Sequence, residues 1–471
     1  MCLAAASQAK TTQATAGNAA AISRVENGLR PAVIIAGQPA KTRPLSGEMS
    51  RLHVLGASIA VLRGGRIDWA KGYGVTRVGG GAVTPNTLFQ AGSISKPITA
   101  LAALRLVQAG RLALDADVNA SLRGWTLRAP AGSYVTLREL LAHTAGTTVH
   151  GFPGYVAGVP VPTVEDILSG RPPANTKAVI VDTVPGTSWR YSGGGYTIIQ
   201  KLIGDVTGQP FADVLKLEVL EPAGMTLSRF SQPLEARLLI NAALPHDGDG
   251  KGIVGGPHVY PELAAAGLWS TPSDLARFAI AVRQSVRGAP GALLDQRLSK
   301  AMLTPGKGDY GLGLEVRGPA DNRSFSHGGS NEDYQNFLVA YSGSGDGAVV
   351  MTNASQGDEL SGEIIRSIAA AYDWPSYRSI ERKSVPVALA VRMQRAGEYQ
   401  IPDLGSFVIA VGKEGLSVSL KEGVQEPLYA MDAHTYFILS QDLTIRFADE
   451  ASATTGRIVS GPFDLVFSKK P

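Results

Sequence analysis

Cysteine is almost absent from this sequence: Cys2 stands alone among 471 residues. No internal disulfide can form, so the fold has to rest on packing and hydrogen bonding. There is also no apolar run of about 18 residues, the length a helix needs to span a bilayer core. A basic run is missing as well: 44 Lys and Arg face 40 Asp and Glu. That excess of four is too small and too scattered to track a nucleic-acid backbone. No repeat with a period of about 20–50 residues recurs, which excludes a solenoid or propeller. His246 and His258 have no His or Cys at metal-ligand spacing, which argues against zinc. Asp247-Gly248-Asp249-Gly250 opens like a calcium loop, but Lys251 takes the next ligand position, which argues against calcium. No metal or other cofactor is expected.

What the chain does have is a globular balance of 44% hydrophobic and 18% charged residues over a length that accommodates two or three cores. Its 55 glycines forecast many tight turns. Residues 1–25 are rich in Ala, Thr and Gln and read as a disordered tether. Three origins stay open for it: an ordinary floppy terminus, the remnant of a cleaved leader, or a lipid anchor on Cys2 followed by a spacer. An exported, periplasmic setting is favoured over a cytoplasmic one.

The run VLGASIAVLR reaches Gly64-Gly65 and returns as RIDWAKGYGV, the pattern of a β-hairpin. Within it Gly56-Ala57-Ser58-Ile59-Ala60 only approximates a G-x-S-x-G elbow. From Ile94 to Ala109 apolar residues fall at helical spacing, with Pro97 in the first turn and Gly110 at the end,. Between Leu112 and Leu303 short helices alternate with Gly/Pro-rich loops, and Ser270-Thr271-Pro272-Ser273-Asp274 marks one helix start. Strand-like runs at Asn336–Tyr341 and Gly347–Thr352 precede a helix over Leu360–Tyr372. These elements predict an α/β fold: an antiparallel sheet flanked by helices, with an α-rich insertion, over residues 26–376. A linker is expected at 377–396. Beyond it the runs SFVIAV, LSVSL, PLYAM, TYFIL, LTIRF and FDLVF predict a small antiparallel β-barrel over 397–471.

Three motifs carry chemistry. Ser93-Ile94-Ser95-Lys96 places a hydroxyl and an amine on one side of a first helical turn. A desolvated lysine with a lowered pKa can take the serine proton. Roughly one S-x-x-K match is expected by chance in such a chain, and Ser7-Gln8-Ala9-Lys10 reads as that one. Tyr191-Ser192-Gly193 sets a tyrosine on a Gly-rich turn, where cationic neighbours would pull its pKa toward phenolate. Ser326-His327-Gly328-Gly329-Ser330 precedes a strand and offers a backbone edge to a substrate. His327 is placed to bond the Tyr191 oxygen or a substrate carboxylate. His143, in Leu140–Gly146, reads as a brace for a turn.

In this order and spacing, the motifs resemble the S-x-x-K, Y-x-N and K-T-G or H-x-G set of the class C β-lactamases, D-alanyl-D-alanine peptidases and related esterases. Leu140-Leu141-Ala142-His143-Thr144-Ala145-Gly146 is similar to that family's L-L-x-H-T-S-G stretch, and Gly267–Leu275 to its G-G-L-x-S-T-x-x-D-L stretch. The likeness covers roughly residues 45 to 375. It implies the β-lactamase/transpeptidase-like fold followed by a lipocalin-like tail, with Ser93 as nucleophile, Lys96 as its base and Tyr191 as proton relay. The N–H groups of Ser93 and Ser330 would form the oxyanion hole, each worth about 3 kcal/mol in the transition state. His327, Gly328, Gly329 and Gly193 would line the substrate site.

Gly193 departs from the family, which has asparagine there, and is expected to open space for a bulkier substrate. The implied function is hydrolysis of a small-molecule ester, amide or peptide through a Ser93 acyl-enzyme. An acyltransferase or peptide cyclase, a β-lactamase, and a non-catalytic ligand sensor stay as alternatives. The sequence leaves the oligomeric state open.

Overall fold

In the computed structural model, residues 16–402, 404–412, 415–421, 424–448, 454–461 and 463–470 are described. The Cys2 anchor, the Ser7–Lys10 match and the first fifteen residues of the expected tether lie outside them. From Ala16 the chain is helical, through Glu26. It divides into two compact units, one containing Gly47–Ser361 and the other combining Ala21–Ser46 with the chain from Gly362 onward. No helix among the described residues is long and apolar enough to cross a membrane.

The larger unit is built on a six-stranded antiparallel sheet. Its strands are β1 (Gly56–Arg63), β2 (Arg66–Gly74), β3 (Glu315–Arg317), β4 (Ser324–Asn331), β5 (Tyr334–Tyr341) and β6 (Gly347–Thr352), in the order β2-β1-β6-β5-β4-β3. The expected hairpin is β1–β2, turning at Gly64 and Gly65 with φ of 60° and 80°, values that suit glycine in a two-residue turn. β6 and β5 occupy the middle, and β6 is buried along its whole length, which explains a run such as GAVVMT with no polar alternation.

Three helices matter for the site: α1 (Ser95–Gln108), α2 (Gly193–Thr207) and α3 (Pro272–Val286). The α3 start follows its sequence signature. The Thr271 hydroxyl caps the helix by accepting from Asp274 N, and Pro272 opens it. In α1 the apolar stripe Ile98, Leu101, Leu104 lies in one core with Tyr196 and Ile199 of α2 and Leu275 and Phe278 of α3. Most of the chain between α1 and α3 forms the α-rich insertion.

The smaller unit carries a closed barrel of eight antiparallel strands, from Gly397–Ile401 to Phe463–Lys469. Rings of Tyr399, Phe407, Phe447 and Phe467 pack inside it at 5.1–5.6 Å between centroids, Tyr399 and Phe407 stacked and the other pairs edge to face. The segment expected as a linker is partly regular, because Ile380–Arg382 pairs in parallel with Val33–Ile35 and Leu389–Arg395 is helical. Two chain segments far apart in sequence make that pair, so no local pattern announces it.

Candidate active site

The nucleophile candidate sits on a one-turn 3-10 helix, Gly92–Ile94, that leads into α1. Ser95 holds this turn closed: its Oγ donates to Gly92 O at 2.7 Å and accepts from Leu268 N at 3.0 Å. Gly92 has φ 55°, and a β-carbon there would stand 2.6 Å from Ser330 N. A β-carbon on Gly329 would stand 2.0 Å from Ala91 O. Both positions therefore exclude side chains, and the backbone of the Ser93 turn rests directly on β4.

β4 is suited to receive it. Strand β3 pairs only with Ser324–Ser326, so from His327 onward that edge of β4 has no neighbouring strand. Gly328 and Ser330 are exposed on this strand while Gly329 is buried. The open edge, the exposed Ser330 and the half-buried Ser93 together form one cleft.

Lys96 lies one helical turn from Ser93, and its Nζ stands 3.0 Å from Ser93 Oγ. A second bond, 2.9 Å, goes to Ala265 O on the short helical turn Leu263–Ala266. Nζ also lies 4.9 Å and 5.8 Å from the ring centroids of Tyr191 and Tyr196. Lys96 is only 2% exposed, and no carboxylate pairs with it among the described residues. Burial holds its ammonium down to about 7, so the free amine is well populated at neutral pH.

Tyr191 behaves differently from the sequence expectation. Burial pushes its hydroxyl well above the ordinary value, and a hydrogen bond with Ser93 offsets only part of this. Burial outweighs any cation expected to stabilise a phenolate. Tyr191 therefore rests as a phenol that can donate.

His327 also departs from its expected partner. Its Nδ1 donates to Gly328 O at 2.5 Å, which leaves Nε2 to accept from Tyr310 OH at 3.0 Å, because a carbonyl can only accept. Tyr310, and neither Tyr191 nor an open substrate position, takes this nitrogen. Burial holds His327 down to about 3, so it stays neutral. No motif marks Tyr310, which follows the short turn Lys307–Asp309.

His143 does brace a turn, and that turn is the one bearing Tyr191. Its Nδ1 accepts from Ser192 N at 3.1 Å, and its ring packs 4.3 Å from that of Tyr191. Burial and the nearby Lys96 hold its pKa well below the usual value. The same turn is tied to the loop before it: Ser192 Oγ donates to Thr148 O, Gly193 N to His150 O and Gly194 N to Val149 O, at 2.7–3.0 Å. Val149 adopts φ 64°, a costly conformation for a β-branched residue. It turns the loop so that His150 packs 5.0 Å from the Tyr191 ring.

Gly193 does not open the space expected of it. A β-carbon there would stand 2.9 Å from the Phe152 ring and 3.2 Å from His150 O. The place where the Y-x-N motif would put asparagine is filled by an aromatic ring from another loop. Gly193→Asn is accordingly expected to lower stability by about 1–3 kcal/mol. Adding Phe152→Ala should restore part of that loss, as a double-mutant cycle in urea would show.

The family model described as Beta-lactamase matches residues 42–373. Esterase EstB of Burkholderia gladioli is 29% identical over 300 residues, 56% of this chain and 73% of the esterase. Penicillin-binding protein 4* of Bacillus subtilis is 23% identical over 391 residues, 77% of this chain and 83% of that protein. Among solved structures, the octameric penicillin-binding protein homologue from Pyrococcus abyssi is similar in fold. Its TM-score is 0.63 at 23% identity, covering 90% of this chain and 98% of that one.

Proposed function

The chain belongs to the Beta-lactamase family of serine hydrolases, and on that premise we propose that it cleaves an ester or amide through an acyl-enzyme on Ser93. The observation that carries this reading is the Lys96 amine, buried, held down to about 7 and 3.0 Å from Ser93 Oγ. A neutral amine at that distance takes the serine proton as Oγ attacks the substrate carbonyl. The carbonyl oxygen becomes an oxyanion, received by the N–H groups of Ser93 and Ser330. Tyr191, a phenol in contact with Ser93, passes a proton to the departing alcohol or amine and recovers it from Lys96. Water then attacks the ester by the reverse proton path, releasing acid and restoring Ser93. His143 and His327 stay neutral throughout and serve as positioning residues.

Phe152 and His150 enter the space next to Gly193, where an amide-binding side chain would be needed for a penicillin side chain. This favours an esterase over a β-lactamase. The test is intact-mass spectrometry after treatment with a fluorophosphonate, followed by peptide mapping. A single adduct on Ser93, absent from Ser93→Ala, is expected. Labelling elsewhere, or none, would remove the acyl-enzyme from consideration.

A further inference from the structure

The smaller unit holds a cavity of about 810 Å³ that takes no part in the Ser93 chemistry. Every residue lining it belongs to Ala21–Ser46 or to the chain beyond Gly362, so it lies within that unit. None of the four rings packed inside the barrel lines it. It sits instead beside a break in the barrel wall. On one side the strand Val424–Ala430 pairs with Leu416–Lys421. On the other, Thr435–Phe437 reaches only Tyr429 and Ala430, so Gln425–Leu428 has no strand partner there among the described residues.

Residues from both faces of Val424–Ala430 line the cavity, buried Leu428 and Ala430 as well as exposed Pro427. Neighbouring side chains of a strand point to opposite faces, so one space meets both only where it wraps a free edge. Pro427 has no N–H to give to a ladder, and proline in sheets is confined to such edges. A further strand is therefore poorly served here. The break suits an occupant that needs no backbone hydrogen bonds.

The lining divides by polarity. Leu416, Leu428 and Tyr436 belong to the apolar core of the barrel. Lys41 and Arg392 bring two positive charges and Glu426 a negative one. Lys41 is exposed, while Arg392 and Glu426 are half-buried. Among the described residues, none of these three side chains makes an ion pair or a hydrogen bond. Both cations thus keep their capacity for an anion. The volume falls within the range of about 300–1,000 Å³ common for small-molecule sites.

We infer that this cavity binds a carboxylate carrying an aliphatic chain. Lys41 and Arg392 hold the head, and the chain lies against Leu416, Leu428 and Tyr436. The inference is independent of the Ser93 acyl-enzyme. A hydrocarbon chain asks nothing of the proline-bearing edge, and two cations against one acid select an anionic head. Glu426 opposes the ligand, so removing its charge tightens binding.

Isothermal titration calorimetry on the full chain at pH 7 tests this with octanoate, decanoate, decylamine and octan-1-ol, each below its micellar concentration. Decanoate should bind about 15-fold more tightly than octanoate, about fourfold for each buried methylene. Decylamine should bind at least about tenfold more weakly than decanoate. Lys41→Glu changes an exposed side chain and should fold. It should weaken decanoate severalfold and leave octan-1-ol unchanged, whereas Glu426→Gln should tighten decanoate. Opposite signs at two residues of one cavity assign the ligand to it rather than to the Ser93 cleft. No decanoate binding below about 1 mM, decylamine bound as tightly as decanoate, or an affinity unchanged in Lys41→Glu or Glu426→Gln overturns the inference.

Discussion

Lys96→Met should fold and should lose about 10³-fold in kcat/KM toward a simple p-nitrophenyl ester, the scale expected for removal of a general base. Methionine matches the buried stem in size and adds no charge, so the loss would report chemistry rather than collapse. Two hydrogen bonds, to Ser93 Oγ and Ala265 O, disappear with the amine, a modest structural cost. The wild-type pH profile supplies the second half of the test. The base must be neutral to act, and its ammonium is held down to about 7 by burial. Activity should therefore be full above that value and fall about tenfold per pH unit below it. Lys96→Arg should be as inactive as Lys96→Met, because a guanidinium does not deprotonate. A Lys96→Met enzyme retaining most of its activity would assign the base elsewhere.

The largest effect on stability should come from Glu262. This residue holds the N-cap position of the turn whose Ala265 carbonyl holds Lys96, without a side-chain capping bond, is 0% exposed, and has both carboxyl oxygens buried without partners. Burial raises its pKa from an ordinary 4.5 to about 8. In that window the unfolded chain gives up a proton that the folded chain keeps. Stability from this group is full below about 4.5, declines as pH rises, and is gone above about 8. At about 1.4 kcal/mol per pH unit the total is on the order of 3–5 kcal/mol.

Lys96 works in the opposite direction over a higher range. Its folded value near 7 lies below its ordinary 10.5, so its term strengthens stability as pH rises between the two. Comparing Glu262→Gln with the wild type cancels that second term. The variant should gain several kcal/mol relative to the wild type between pH 5 and pH 8 in urea denaturation. Parallel pH curves for the two proteins would show that the carboxyl is not buried in its neutral form.

The elements that the sequence announced well are those with a repeating signal. The β1–β2 hairpin is marked by two glycines, α1 by its apolar stripe and α3 by its Thr-Pro-x-Asp start. The barrel was legible as regular short strands, although six runs were visible where eight strands close the ring. The triplet spacing of Ser93 and Lys96 needed only one helical turn to bring them together. What the sequence concealed depends on approach in three dimensions. Tyr310 reaches His327 from a loop with no periodicity, and Phe152 fills the space that Gly193 seemed to vacate. Tyr191 went astray for a related reason: charged neighbours can be counted in a sequence, whereas depth of burial cannot, and burial dominates its protonation. Glu262 carries no motif at all, and only its buried position gives it an unusual pKa.

Gly92 and Gly329 lie far apart in the sequence, yet each leaves room for the backbone of the other's segment. Their missing side chains act as the spacer that sets how far the serine stands from the strand edge. A methyl group at either position would work as a wedge, parting the two N–H groups proposed to receive the oxyanion. The reach of this cleft is thus set by two absences, and neither can be altered without moving the other half of the site.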